Sequence, residues 1–199
     1  MYQSPVYRFL LYTERSDLPK KILDCGAGGR LPPLALFNAF NYETHGIEIS
    51  KERMVMANNF GNERNMNLNI IQGDIRNLPY ENESFSFVFS YNTIFHLTKK
   101  DIKKVMSEMH RILKKEGLCY VNFIGVEDSS YGKGGELGKG EFLQKENGEE
   151  VVHTFFEDSE VEDFIENFEL LVYEKRLYQR PKNWKNYTQS YLECILQKI

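Results

Sequence analysis

The feature that most constrains this chain is an alternation of strand-like and helix-like segments that begins at residue 21. Lys21 to Cys25 is a short apolar run cut off by Gly26-Ala27-Gly28-Gly29. Pro32 and Pro33 then open a helix expected to reach about Phe40, because a proline in a first turn lacks only an N–H that would be unpaired anyway. Residues 44–49 read as a second strand, and Ser50 as the N-cap of a helix over 51–64. Residues 68–72 and 85–91 read as the third and fourth strands. The fourth is so rich in aromatic and apolar side chains that burial on both faces is expected. Thr98 and Asp101 form a capping-box-like pair, and Ile102, Val105, Met106, Met109, Ile112 and Leu113 follow at helical spacing. Lys114 and Lys115 suit the C-terminal end of that helix and Gly117 its exit. Residues 118–124 make a fifth strand. Such alternation implies a parallel sheet covered by helices on both faces.

The flanking segments complete the plan. Residues 5–15 read as a short helix. Residues 125–157 break the alternation; within them 142–144 and 151–155 flank Asn147-Gly148, a hairpin signal. Ser159 with Glu162 forms a second capping box, for a helix to about Phe168. Residues 170–178 and 191–196 are the last two strands. A polar loop with Pro181 separates them, so they are expected to be antiparallel neighbours. This makes about seven strands and five or six helices. With 199 residues, 41% of them hydrophobic, the chain is read as one domain over 1–199 with one core. The 125–157 segment is then an inserted loop or hairpin near the active site.

Charge and cysteines narrow the function classes. The net charge is −4, from 25 basic and 29 acidic residues, which argues against a nucleic-acid partner. Fourteen acidic and three basic residues lie between Glu127 and Glu169, so that stretch carries −11 and the remainder +7. No apolar run approaches the roughly 18 residues of a membrane-spanning helix. No signal-peptide-like stretch opens the chain, so no membrane partner and a cytoplasmic location are expected. Cys25, Cys119 and Cys194 are odd in number and lack the close spacing of a zinc site. They read as buried thiols in a reducing compartment, and no metal is expected.

The chemistry gathers where three strands end. Asp24 to Gly29 ends the first, Glu48 the second and Gly73-Asp74-Ile75 the third. In an open parallel sheet these carboxyl ends form the ligand crevice. A glycine turn admits a ligand to the backbone, an acid ending the second strand can accept hydrogen bonds from both ribose hydroxyls, and an acid after the third can reach an adenine amino group. The set describes an adenosine-containing ligand. The dinucleotide fingerprint requires glycine or alanine at position 31, where Leu31 stands. A Walker phosphate loop is absent. Asp24 would repel a pyrophosphate and attract an ammonium, which suits S-adenosylmethionine.

These residues carry a family resemblance. The run 22–28, Ile-Leu-Asp-Cys-Gly-Ala-Gly, resembles the first motif of class I S-adenosylmethionine-dependent methyltransferases. Gly46-Ile47-Glu48-Ile49-Ser50 resembles their second motif, 72–80 their third and 85–97 their fourth, while 111–118 resembles the step into their fifth strand. The similarity is to small-molecule methyltransferases of the ubiquinone/menaquinone-biosynthesis type, strong over about 20–125. It implies a Rossmann-like three-layer α/β sandwich whose seven-stranded sheet has the order 3-2-1-4-5-7-6 with strand 7 antiparallel. It further implies S-adenosyl-L-methionine as cofactor and a small-molecule substrate. Asp24, Gly26 and Gly28 would contact the methionine portion, Glu48 the ribose with Ile49 beside it, Asp74 and Ile75 the adenine, and Ser90 and Tyr91 the space beneath the sulfonium. Arg30 stands where such families usually place a third glycine.

A catalytic base is not specified. His96, just past the fourth strand, and Tyr91 are weak candidates, and His153 and Tyr131 weaker ones. The sulfonium is already an activated donor, so holding a nucleophile in line can supply most of the acceleration. The acidic 125–157 stretch is expected either to close over the substrate as a lid or to be a solvated loop. The reading is therefore methyl transfer to a small molecule. A protein that binds S-adenosylmethionine without transferring its methyl group, acting as partner or regulator, is the alternative.

Overall fold

The computed structural model describes residues 4–146, 148–179 and 187–199. Asn147 of the expected hairpin turn and the loop around Pro181 lie outside the described residues. Helix α1 (Pro5–Thr13) is followed by β1 (Lys21–Cys25), α2 (Leu34–Ala39), β2 (Glu43–Glu48), α3 (Lys51–Asn62), β3 (Ile70–Gln72) and β4 (Phe85–Ser90). A 3-10 turn (Ile94–His96) leads into α4 (Lys99–Ile112) and β5 (Leu113–Gly125). Then come β6 (Gly135–Gly138), β7 (Glu141–Glu146), β8 (Glu149–Phe156), α5 (Glu162–Ile165), β9 (Phe168–Gln179) and β10 (Thr188–Lys198). Three helices begin where hydroxyl caps stand: Ser4, Ser50 and Thr98 accept from the backbone N–H groups of Tyr7, Arg53 and Asp101.

Strands β3-β2-β1-β4-β5 are parallel neighbours. β10 runs antiparallel between β5 and β9. Counting β9 as the sixth strand and β10 as the seventh gives the order 3-2-1-4-5-7-6, with the seventh antiparallel. Three further strands branch from the end of β5. β8 pairs with it only through Phe155 and Phe156, then continues through β7 to β6 as an antiparallel meander. The 125–157 stretch is thus mostly sheet, and its hairpin lies where Asn147-Gly148 pointed.

Both sheet faces are covered, as the alternation required. On one side Phe9 and Leu10 of α1, Phe37 of α2 and Ala57 of α3 pack on Ile22, Phe87, Phe89 and Tyr120. On the other, Ile102, Val105, Met109 and Ile112 of α4 pack with Phe164 of α5 on Leu23, Val88, Cys119 and Val121. All three cysteines are buried free thiols. Phe9 is fully buried, its ring centroid 6.1 Å from that of Phe37, 6.3 Å from Phe89 and 5.8 Å from Tyr120. Phe9→Ala is expected to cost about 3–5 kcal/mol, read as a lower denaturation midpoint at unchanged slope. A cost below about 1 kcal/mol would mean that α1 is not part of this core.

Local details correct the sequence reading. α4 stops at Ile112, so Lys114 and Lys115 do not end a helix but belong to β5. There Glu116 takes φ +63°, and the residues from Leu113 to Leu118 oppose only Phe85 to Phe87 of β4, a bulge. A Cβ on Gly117 would stand 2.8 Å from the Lys114 carbonyl and 2.9 Å from that of Ser86. The glycine therefore serves a close backbone approach, not a helix exit. Pro33 is the residue before α2 and not inside its first turn. The capping box after β8 is Glu157 with Glu160, not Ser159 with Glu162. It opens a 3-10 turn, and α5 ends at Ile165.

Candidate active site

The glycine turn after β1 is hung on β2: the Gly26 and Ala27 N–H groups donate to the Ile47 carbonyl at 2.9 and 3.1 Å. Gly26 sits at φ +103°, and an added Cβ would fall 2.2 Å from Thr93 Oγ1, so only glycine fits. Glu48 ends β2 almost fully buried. Its Oε2 accepts the Gly28 N–H at 3.0 Å and its Oε1 the Ser50 N–H at 2.9 Å. A Cβ on Gly28 would lie 2.3 Å from Oε2, so the carboxylate rests in the space the missing side chain leaves. After β3, Asp74 is gripped by Arg76: Nε lies 3.0 and 2.9 Å from its two oxygens and Nη2 2.7 Å from Oδ2. That guanidinium holds the Asp74 carboxyl below the usual carboxylate range. Arg76 Nη1 also reaches Asp101 at 3.0 Å.

A cleft of about 330 Å³ opens over these strand ends, walled by Gly26, Glu48, Ile49, Asp74 and Ile75 among others. Five of the nine residues expected at a cofactor thus face one cavity. The other four stand around it. Asp24 is buried beneath, with Oδ2 lacking any hydrogen-bond partner; burial, with Glu48 nearby, pushes its pKa well up. Gly28 meets the cleft through Glu48. Ser90 Oγ donates to the Cys25 carbonyl at 2.8 Å and ties β4 to β1. Tyr91 turns toward the α1 side, its ring 6.4 Å from that of Tyr120.

A second cavity of about 250 Å³ adjoins the first, and Asn92, His96 and Glu146 line both. Its further wall includes Phe95, Asp128, His153 and Tyr191. His96 and His153 stack edge to face at 4.8 Å between centroids. Burial, helped by His153, pushes the His96 pKa down to about 4, and burial lowers that of His153 also. Both rings are therefore neutral near pH 7. Tyr131 packs on Phe142 and Phe155, with ring centroids 5.5 Å apart in each pair.

Several lining residues carry no individual expectation from the sequence: Arg53, Glu146 and Val151, and also Asn92 and Thr93, which lie within the 85–97 motif. Asn92 takes φ +55°. It is held by a reciprocal pair, its N–H donating to Asn122 Oδ1 and Asn122 Nδ2 donating to its Oδ1, both at 2.8 Å. The meander is stitched to the His96 turn by Thr154 Oγ1, which donates to the Leu97 carbonyl at 2.6 Å. Glu141 of β7 accepts from the Lys99 backbone. Glu146 and Val151 come from a segment some 50 residues downstream and reach the cleft only by folding.

Comparison with known proteins agrees with this architecture. Residues 23–121 match the family described as a methyltransferase domain. A sarcosine/dimethylglycine N-methyltransferase of Aphanothece halophytica is 29% identical over 109 residues, covering 49% of this chain and 35% of the relative. A norajmaline N-methyltransferase of Rauvolfia serpentina is 31% identical over 108 residues, covering 51% and 35%. The match thus spans about a third of the length of these curated relatives. The solved structure of a SAM-dependent methyltransferase from Methanosarcina mazei superposes with a TM-score of 0.76 at 19% identity, over 95% of this chain and 97% of that one. Residues 23–121 are thus a methyltransferase domain, and the whole chain shares the fold of solved S-adenosylmethionine-dependent methyltransferases.

Proposed function

We propose that this protein transfers the methyl group of S-adenosylmethionine to a small molecule seated in the cavity beside His96. The observation that carries the reading is that a cofactor-sized cleft and a smaller cavity meet at Asn92, His96 and Glu146. The residues fit the cofactor. Asp24 Oδ2, buried without a partner, suits the ammonium end. Glu48 uses each oxygen once and keeps acceptor capacity for a vicinal diol. Ile49 and Ile75 flank the adenine end, where Asp74 offers what Arg76 leaves of its lone pairs. When bound, S-adenosylmethionine supplies a methyl group already activated on a sulfonium. The chain then has to orient and to exclude water. Asn92 and Thr93 hold the junction, while Glu146 and Val151 of the meander roof it, so that an acceptor can be kept in line at about 3–3.5 Å from the methyl carbon.

The acceptor is small, and neutral or cationic. Glu146 and Asp128 line its cavity, and both belong to the −11 stretch, a local field that repels polyanions. The relatives are named for sarcosine, dimethylglycine and norajmaline, which are small molecules. The test is transfer of methyl label from S-adenosylmethionine into a protein-free metabolite extract. Label in compounds of small mass supports the reading; label only in protein or nucleic acid, or none, contradicts it.

Asp24 supplies a second check. Its raised pKa means that the folded protein holds this proton more tightly than the unfolded chain does. The cofactor-free protein therefore loses stability as pH rises from the ordinary carboxylate range toward the raised value. Asp24→Asn removes that loss. It is expected to raise the melting temperature at neutral pH by a few degrees, about 2–4 °C per kcal/mol for a chain of this size. It should also weaken cofactor binding by about tenfold or more. A variant that binds the cofactor as tightly as the parent would remove Asp24 from the site.

A further inference from the structure

We propose that His96, Glu146 and His153 form a binding site for a divalent transition-metal ion at the junction of the two cavities. One ligand atom from each lies within 4.8 Å of the others. Glu146 Oε1 stands 3.2 Å from His153 Nε2 without hydrogen-bond alignment. A tetrahedral ion with ligands at about 2.0–2.1 Å holds them roughly 3.3 Å apart. The Glu146–His153 pair already has that spacing, and His96, within 4.8 Å of both, has to draw in by up to about 1.5 Å.

The nitrogens point to a missing partner. His96 Nδ1 and both ring nitrogens of His153 are buried with no hydrogen bond, and a buried polar group left so is destabilising until a partner arrives. Two imidazoles and one carboxylate suit zinc or iron(II) better than magnesium or calcium, which take oxygen ligands. The three thiols are buried in β1, β5 and β10 and do not compete.

The site joins three elements. His96 belongs to the 3-10 turn after β4, Glu146 ends β7 and His153 lies on β8, where it pairs with Phe142. An ion there pins the meander to the turn that separates the cavities. Three protein ligands leave at least one coordination position free. It faces the smaller cavity, which all three residues line, and accepts a neutral or deprotonated nitrogen or oxygen donor. Binding of the ion requires no cofactor, so it stands or falls apart from the methyl-transfer reading.

The test is titration of the chelator-treated full chain with cobalt(II), read by its visible absorption, and with zinc by competition against a chromophoric chelator. The expected result is one ion per chain, bound at about micromolar affinity or tighter, with a higher melting temperature. His96→Ala and His153→Ala should weaken it at least about 100-fold and Glu146→Gln about tenfold. His45→Ala and His110→Ala, outside the cluster, should change it by less than about threefold. If a cluster variant fails to fold, the unaltered protein still decides. Cobalt should shift or broaden the imidazole proton resonances of His96 and His153 and spare those of His45 and His110. No binding below millimolar concentration, an ion retained in His96→Ala, or resonance effects centred on His45 or His110 would overturn the proposal.

Discussion

Glu48→Ala is expected to weaken binding of S-adenosylhomocysteine by about 100-fold, equal to about 2.7 kcal/mol, with little change in fold. The carboxylate is 5% exposed, so its hydrogen bonds are made with little competition from water, and charge-assisted bonds there contribute about 1.5–3 kcal/mol each. Alanine removes the acceptors proposed for the ribose diol and strands the Gly28 and Ser50 N–H groups, which tie the glycine turn to β2. Glu48→Gln keeps one acceptor oxygen and the side-chain volume, so its loss should be smaller, about tenfold. Calorimetric titration with S-adenosylhomocysteine reads both. An alanine variant within about threefold of the parent would mean that the ribose lies elsewhere.

The second large effect concerns the meander. Replacing residues 131–152 with a short Gly-Ser linker is expected to lower turnover by about 100-fold or more while changing cofactor affinity by less than about tenfold. The cut takes away Glu146, which lines both cavities, and Val151, which lines the cleft. It leaves Thr154, which bonds the Leu97 carbonyl, and Phe155 and Phe156, which pair with β5. The sheet and the strand ends lining the cleft stay, but the wall that Glu146 and Val151 add is gone, which would open the proposed transfer geometry to water. Turnover retained within tenfold, with the acceptor found by label transfer, would show the meander to be a solvated appendage and not a working wall.

The parts legible in the sequence were those written in local chemistry. Apolar runs alternating with helical spacing gave the five parallel strands. The run Asp24 to Gly29, with Glu48 and Asp74 at fixed distances, pointed to the strand ends that now face one cleft. Asn147-Gly148 marked the β7–β8 hairpin. What stayed hidden depends on distant neighbours. β6 is four residues with two glycines and has strand geometry only because β7 pairs with it. Lys114 to Gly117 look like a helix end by charge. The packing of β5 on β4 instead draws them into a bulge. Two overlapping capping-box patterns follow β8, and Glu157-Glu160 is the one that both reciprocal bonds complete. Strand-end position and family resemblance both point Asp74 at an adenine, whereas Arg76, two residues on, takes up much of its acceptor capacity. The pairing of His96 with His153 across 57 residues follows from the meander folding back on the fourth-strand loop, which no local pattern encodes.

On the proposed function the cofactor lies along the strand ends, with ribose on Glu48 and sulfur directed to the cavity beside His96. A crystal structure with S-adenosylhomocysteine tests it most directly. The expected result is both ribose hydroxyls within hydrogen-bond distance of the Glu48 carboxylate, the ammonium at Asp24, the adenine between Ile49 and Ile75, and the sulfur facing Asn92 and His96. A ribose not touching Glu48, or a sulfur directed away from the second cavity, would contradict it.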